Sequence, residues 1–139
     1  MMRRALFLIP LALCLAADPA QEVLDLVTGM AASLSAGNAR EFLAAFDPAM
    51  PGYQQLRENV NALTRQEAVE SFVDVASDEG DAQKRTVQLN WRMRLKRNSD
   101  ATASTGREQV LKCRFEKQGR KWRITALEPV DFFAPDRKE

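Results

Sequence analysis

The chain contains no histidine. That absence removes the side chain most often used as a general base near neutral pH, and with it the commonest metal ligand. Cysteine is almost as scarce, with Cys14 and Cys113 the only two. No cysteine or acidic cluster has transition-metal spacing, so neither a metal nor a cofactor is expected. No glycine-rich phosphate loop and no nucleophile elbow occurs. Tyrosine appears once, as Tyr53. Net charge is missing too, since 20 basic residues face 19 acidic ones. Strong steering of nucleic acid or of an anionic membrane is thereby excluded.

The one long apolar run, Ala5 to Ala17, follows Arg3 and Arg4 and is too short to span a bilayer comfortably. It reads as a secretory signal with cleavage near Ala16 or Ala17. The expected organisation is a signal peptide over 1–17, a single domain over 18–135 and a charged tail over 136–139. Export to the periplasm or medium follows, without stable membrane insertion after cleavage; an uncleaved N-terminal tether is the alternative. Lipidation of Cys14 is disfavoured by the preceding Leu11-Ala12-Leu13, which places a bulky Leu where a small residue is wanted. Losing Arg3 and Arg4 from the 20 basic residues leaves 18 against 19 acidic ones, still near neutral. Cys113 then stands alone, so no intramolecular disulfide forms and stability rests on the core.

Helical signals fill the first half. Asp18-Pro19 is a cap followed by a residue suited to the first helical position. Val23, Leu26, Val27, Met30 and Leu34 then recur on one helical face up to Gly37. Asn38 with Glu41 resembles a capping box for a short second helix carrying Phe42, Leu43 and Phe46. After the breakers Asp47-Pro48 and Pro51-Gly52, the spacing of Leu56, Val60 and Leu63 predicts a third helix from Tyr53 to about Leu63.

The period then changes to two. Val69, Ser71, Val73 and Val75 alternate with other residues in a first strand, and Asp78 to Asp81 reads as a turn. Val87, Leu89, Trp91, Met93 and Leu95 alternate strictly with Gln88, Asn90, Arg92, Arg94 and Lys96. A long loop is expected over Asn98 to Gly106, followed by strands Val110 to Phe115 and Trp122 to Leu127. A two-residue turn at Gly119-Arg120 sets Phe115 opposite Ile124 and Glu116 opposite Arg123. The class is α+β: N-terminal helices covering a curved antiparallel sheet of about four strands.

That ordered combination resembles the nuclear transport factor 2-like superfamily, which includes the SnoaL-like cyclases and ketosteroid isomerases and shares a cystatin-like architecture. The residues that carry the resemblance are Trp122-Arg123-Ile124 after Gly119, the Phe42 to Phe46 helix ending in Asp47-Pro48, and the terminal Glu128 to Phe133. The resemblance implies a cone in which a bent sheet wraps a helix and leaves a pocket at one end. Some such proteins catalyse reactions there, many bind a ligand, and fold alone does not decide.

Candidate sites follow from these two faces and that pocket. Phe42, Phe46, Tyr53, Trp91 and Trp122 are the candidates to line a pocket for a small apolar ligand. Isomerase-type chemistry would take Asp47 as base and Tyr53 as hydrogen-bond donor. Arg92, Arg94, Lys112, Arg114 and Arg123 form a candidate basic interaction surface, with a homodimer through the sheet as one use of it. Asp47 opening a turn, the tryptophans filling the core and the basic residues as a solvated face are the plainer readings. The leading expectation is an exported, non-enzymatic ligand-binding or protein-interaction domain; the pocket enzyme is the alternative.

Overall fold

The computed structural model describes residues 18–135; the segments 1–17 and 136–139, read above as signal peptide and tail, lie outside the described residues. Helix α1 (Pro19–Ser35) starts where Asp18 accepts the Ala20 N–H at 3.3 Å. Its stripe of Val23, Val27, Met30, Ala31 and Leu34 is buried, and α1 packs against the first strand of the sheet. Helix α2 (Ala39–Leu43) is capped by Asn38, which accepts the Glu41 N–H at 3.0 Å. Helix α3 (Tyr53–Gln66) follows Gly52 and buries Leu56, Asn59, Val60 and Leu63. It runs three residues past Leu63, because the polar Thr64-Arg65-Gln66 turn continues the helix until Glu67 turns extended.

Four strands follow as a meander, β1 (Glu67–Gly80), β2 (Lys84–Arg97), β3 (Asp100–Gln118) and β4 (Lys121–Glu128), each antiparallel to the next. The inner face of β2 is the one expected: Val87, Leu89, Trp91, Met93 and Leu95 are all buried. Leu89 faces Leu111, Val87 faces Cys113 and Phe115 faces Ile124, so one apolar face crosses the sheet. Glu116 faces Arg123, as the hairpin parity required.

Two connections differ from expectation. Asp78 to Gly80 belong to β1, and the turn falls on residues 81–83, where Asp81 accepts the N–H groups of Gln83 and Lys84 at 2.8 Å each. Gly80, at φ 146°, permits that tight return, since a Cβ there would collide with the Lys84 carbonyl oxygen. The loop predicted over Asn98 to Gly106 is instead a turn at Asn98-Ser99 followed by strand, with Ser104 opposite Lys96. Exposed residues such as Thr102, Ser104 and Gly106 carry no apolar alternation, yet their backbone completes the hydrogen-bond ladder of β2.

Helices and sheet meet in one core. The outer edge of β4 is occupied by the segment after α2: Ile124 N–H donates to the Ala45 carbonyl and Asp47 N–H to the Ile124 carbonyl, both at 2.9 Å. A 3-10 helix (Val130–Phe133) packs against α3 and buries Phe132 and Phe133. Arg107 holds it by donating to the carbonyls of Phe132 at 2.6 Å and Ala134 at 2.7 Å.

Candidate functional site

Inside the cone, aromatic rings meet each other. Phe42 lies 5.4 Å from Phe46, 6.1 Å from Trp91 and 5.1 Å from Phe133, centroid to centroid, and Trp91 lies 5.2 Å from Phe133. These four side chains are at most 1% exposed. The Trp91 indole N–H donates to Ser71 Oγ at 2.6 Å, and the Ser71 N–H donates to Ser35 Oγ at 2.9 Å, so the polar edge of the ring is satisfied within the core. Phe42 and Trp91 are therefore interior packing groups that tie the helices to β1 and β2.

Trp122 occupies a different environment. It walls an open cleft of about 660 Å³ between α1, the α2 region and the β3–β4 hairpin, beside Leu26, Met30 and Ala45. Its indole N–H donates to Glu22 Oε1 at 2.8 Å, and Lys117 Nζ reaches the same oxygen at 3.3 Å while lying 5.7 Å from the Trp122 ring. The Trp122 hydrogen bond, and after it the Lys117 ammonium, hold the Glu22 carboxyl below the usual range. Asp25 and Glu41 contribute acidic groups to this cleft, and Arg120, Lys121 and Arg123 basic ones. A mixed-charge rim surrounds an apolar floor.

A second open cleft, of about 430 Å³, lies between α2, α3 and β4. Tyr53 and Phe46 line it, as does Arg123. Tyr53, Arg57 and Asn61 are spaced four apart and so share one face of α3. Asp47 stands at the turn between α2 and α3, accepting the Ala49 N–H at 2.9 Å on one oxygen and the Gln118 side-chain N–H at 2.9 Å on the other. Those two hydrogen bonds, the Ala49 one first, and the neighbouring Arg123 charge keep the Asp47 carboxyl below its ordinary value. A carboxylate stabilised in this way takes up a proton less readily, which works against a role as base.

The outer sheet face carries Arg92, Arg94, Lys112 and Arg114, all exposed. Arg92 stands 3.9 Å from Asp74 and Arg94 3.7 Å from Glu70, while the Arg92 guanidinium lies 5.4 Å from the exposed Phe72 ring. Such exposed pairs contribute little stability. Arg123, grouped with this face from the alternation and set opposite Glu116 in the ladder, also lines the two helix-side clefts. The cause is β4 itself, an edge strand against which residues 45–47 pair, so that Arg123 borders the α2 region. Among the described residues no group of three or more Cys, Asp or Glu side chains gathers as a metal site would require.

Arg40, Arg57, Asn61 and Lys117 were not singled out from the sequence. The fourfold spacing of Tyr53, Arg57 and Asn61 is the signal that could have found two of them; Lys117 was legible as the cross-strand neighbour of Trp122. Arg40 had none, because its neighbours in the cleft come from distant parts of the chain.

No protein-family profile matches the chain, and no curated protein matches it in sequence. Solved structures do match in shape. A nuclear transport factor 2-like superfamily protein from Salmonella enterica aligns with a TM-score of 0.63 at 12% identity, over 86% of this chain and 92% of that one. A conserved protein from Planctomyces limnophilus aligns with a TM-score of 0.69 at 6% identity, over 77% and 91%. A Streptomyces avermitilis protein of the same family, provisionally named a dehydratase, aligns with a TM-score of 0.64 at 12% identity, over 78% and 93%. Helices packed on a curved four-stranded antiparallel sheet, with this element order and these neighbours, give the described chain the nuclear transport factor 2-like fold.

Proposed function

We propose that this is an exported binding domain rather than an enzyme, and that it receives a small, largely apolar ligand in the open cleft beside Trp122. One contrast supports the reading. The cone interior is filled by Phe42, Phe46, Trp91 and Phe133, whereas the cleft walled by Trp122 has about 660 Å³ of open volume over Leu26, Met30 and Ala45. Ligand sites typically occupy about 300–1,000 Å³ and combine an apolar body with a few placed polar groups. The proton-transfer alternative is less well supported, since both Asp47 oxygens already accept N–H groups.

The test is an NMR titration with indole as a neutral apolar probe. Saturable shifts of the Trp122 indole N–H and the Gly29 amide are expected. Shifts concentrated at Leu89 and Leu111, deep in the sheet, would place the guest in the cone and reject the cleft. Export is checked by mass spectrometry of the purified protein: a mature chain beginning near Asp18 is expected, and one beginning at Met1 contradicts it.

A second use of the molecule is favoured by a separate observation. Phe72 and Val110 are 51% and 48% exposed on the outer sheet face, on adjacent rows of the ladder. Face-to-face pairing of two copies would bury both. Sedimentation analysis should then show a dimer that Phe72→Asp dissociates; a wild-type monomer at high concentration would dismiss it.

A further inference from the structure

The smaller cleft has a chemistry of its own. In a chain whose charges nearly cancel, Arg40 from α2, Arg57 from α3 and Arg123 from β4 all line one opening, and no carboxylate lines it with them. None of the three forms an ion pair among the described residues; Arg57 makes only a long 3.5 Å contact to Gln54 Oε1. Asp47, which adjoins Pro48 in the chain and feels the Arg123 charge, already accepts the Ala49 and Gln118 N–H groups on its two oxygens. Three guanidiniums lining one opening give it a positive potential, and that potential attracts an anion. The cleft also has apolar lining, from Leu43, Phe46 and Pro48.

We propose that this cleft binds a small organic oxyanion, a carboxylate or phosphate head carried on a compact apolar body. The forked N–H groups of arginine match the two oxygens of a carboxylate or phosphate, and a desolvating apolar wall beside them strengthens the contact. The Tyr53 and Asn61 side chains on the same helix face offer further hydrogen-bonding groups. The open volume of about 430 Å³ suits a single-ring compound. This site borders the Trp122 cleft, with which it shares Ala44 and Arg123, but Tyr53, Arg57 and Asn61 belong to it and not to that cleft.

The experiment is a set of NMR titrations of the purified protein with benzoate, benzamide, phenyl phosphate and inorganic phosphate. Benzoate and phenyl phosphate are expected to shift the amides of Tyr53, Arg57 and Asn61 saturably. Benzamide, the neutral counterpart of benzoate, should bind at least about tenfold more weakly, a gap of about 1.4 kcal/mol. Arg40→Gln and Arg57→Gln replace exposed side chains and should each weaken benzoate about fivefold or more while leaving the remaining spectrum in place. Equal affinity for benzoate and benzamide, or unchanged binding in both variants, would overturn the proposal. Inorganic phosphate binding as tightly as phenyl phosphate would overturn the apolar part of it. Shifts centred on Trp122 and Gly29 would assign the anion to the other cleft and likewise overturn it. Should a variant fail to fold, the wild-type comparison of benzoate with benzamide still decides.

Discussion

Asp47 links two separate parts of the chain through the Ala49 and Gln118 N–H groups, and Glu22 does the same for α1 and the hairpin through Trp122 and Lys117. Both carboxyls sit below their ordinary range, as does Asp81, whose side chain accepts the Gln83 and Lys84 N–H groups. Because the folded values are lowered, each group stabilises the fold above the unfolded carboxylate values of about 4 and loses that contribution as pH falls through the folded value. Cys113 behaves in the opposite sense. Burial pushes its thiol up to about 12, so its contribution is complete below the unfolded value of about 8.5 and is lost as pH rises towards 12. With no histidine, no other side chain of ordinary pKa titrates in between. The melting temperature should therefore be flat from about pH 5 to 8 and fall on both sides. Cys113→Ala should flatten the arm just above pH 8.5, read as a smaller slope; an unchanged slope would remove the thiol from the explanation. The native thiol should also resist alkylation until the protein unfolds.

At the scale of elements, the most consequential contact is the one Arg107 makes to the terminal 3-10 helix, because it fastens Phe132 and Phe133 over the interior. Hydrogen bonds from a charged donor are worth about 1.5–3 kcal/mol, so Arg107→Ala should lower unfolding free energy by about that much. Amide exchange at Ala134 should accelerate with it. A denaturation midpoint equal to wild type would show that the segment is held by ring packing alone. Arg107 also illustrates what the sequence conceals. It stands just past the stretch read as a loop, Asn98 to Gly106, where Thr102, Ser104 and Gly106 give no apolar period and only the partner strand's need for hydrogen bonds makes a strand. By contrast β2 was fully legible, because burial on one face imposes strict alternation on Val87 to Leu95.

Across the whole molecule, the class, strand order and inner face could be read from periodicity and hairpin parity, while the clefts could not. Trp91 and Trp122 are the same residue type on strands of the same sheet and both are buried, yet Trp91 is packed against Phe42 and Phe133 while Trp122 also walls a cleft. Alternation assigns a side chain to a face; it does not tell which end of that face a helix covers. Phe133 decided the matter, arriving from the chain terminus to fill the space between Phe42 and Trp91. Phe133→Ala should accordingly cost about 3–5 kcal/mol in chemical denaturation, the range for emptying a packed aromatic position. A loss under about 1 kcal/mol would mean the space collapses freely or was never tightly filled. Basic residues were likewise legible as a group but not as a place, since Arg123 also borders the clefts because residues 45–47 pair with the edge of β4.

The claim that governs the functional reading is that the cone is full and that guests are met at its open clefts. Methyl NMR of the protein under xenon pressure tests it directly, because xenon enters dry apolar cavities without needing a specific partner. The filled interior predicts no saturable shift at the methyl groups of Leu89, Leu111 and Ile124. A saturable shift there would reveal an internal cavity and return the ligand site to the cone.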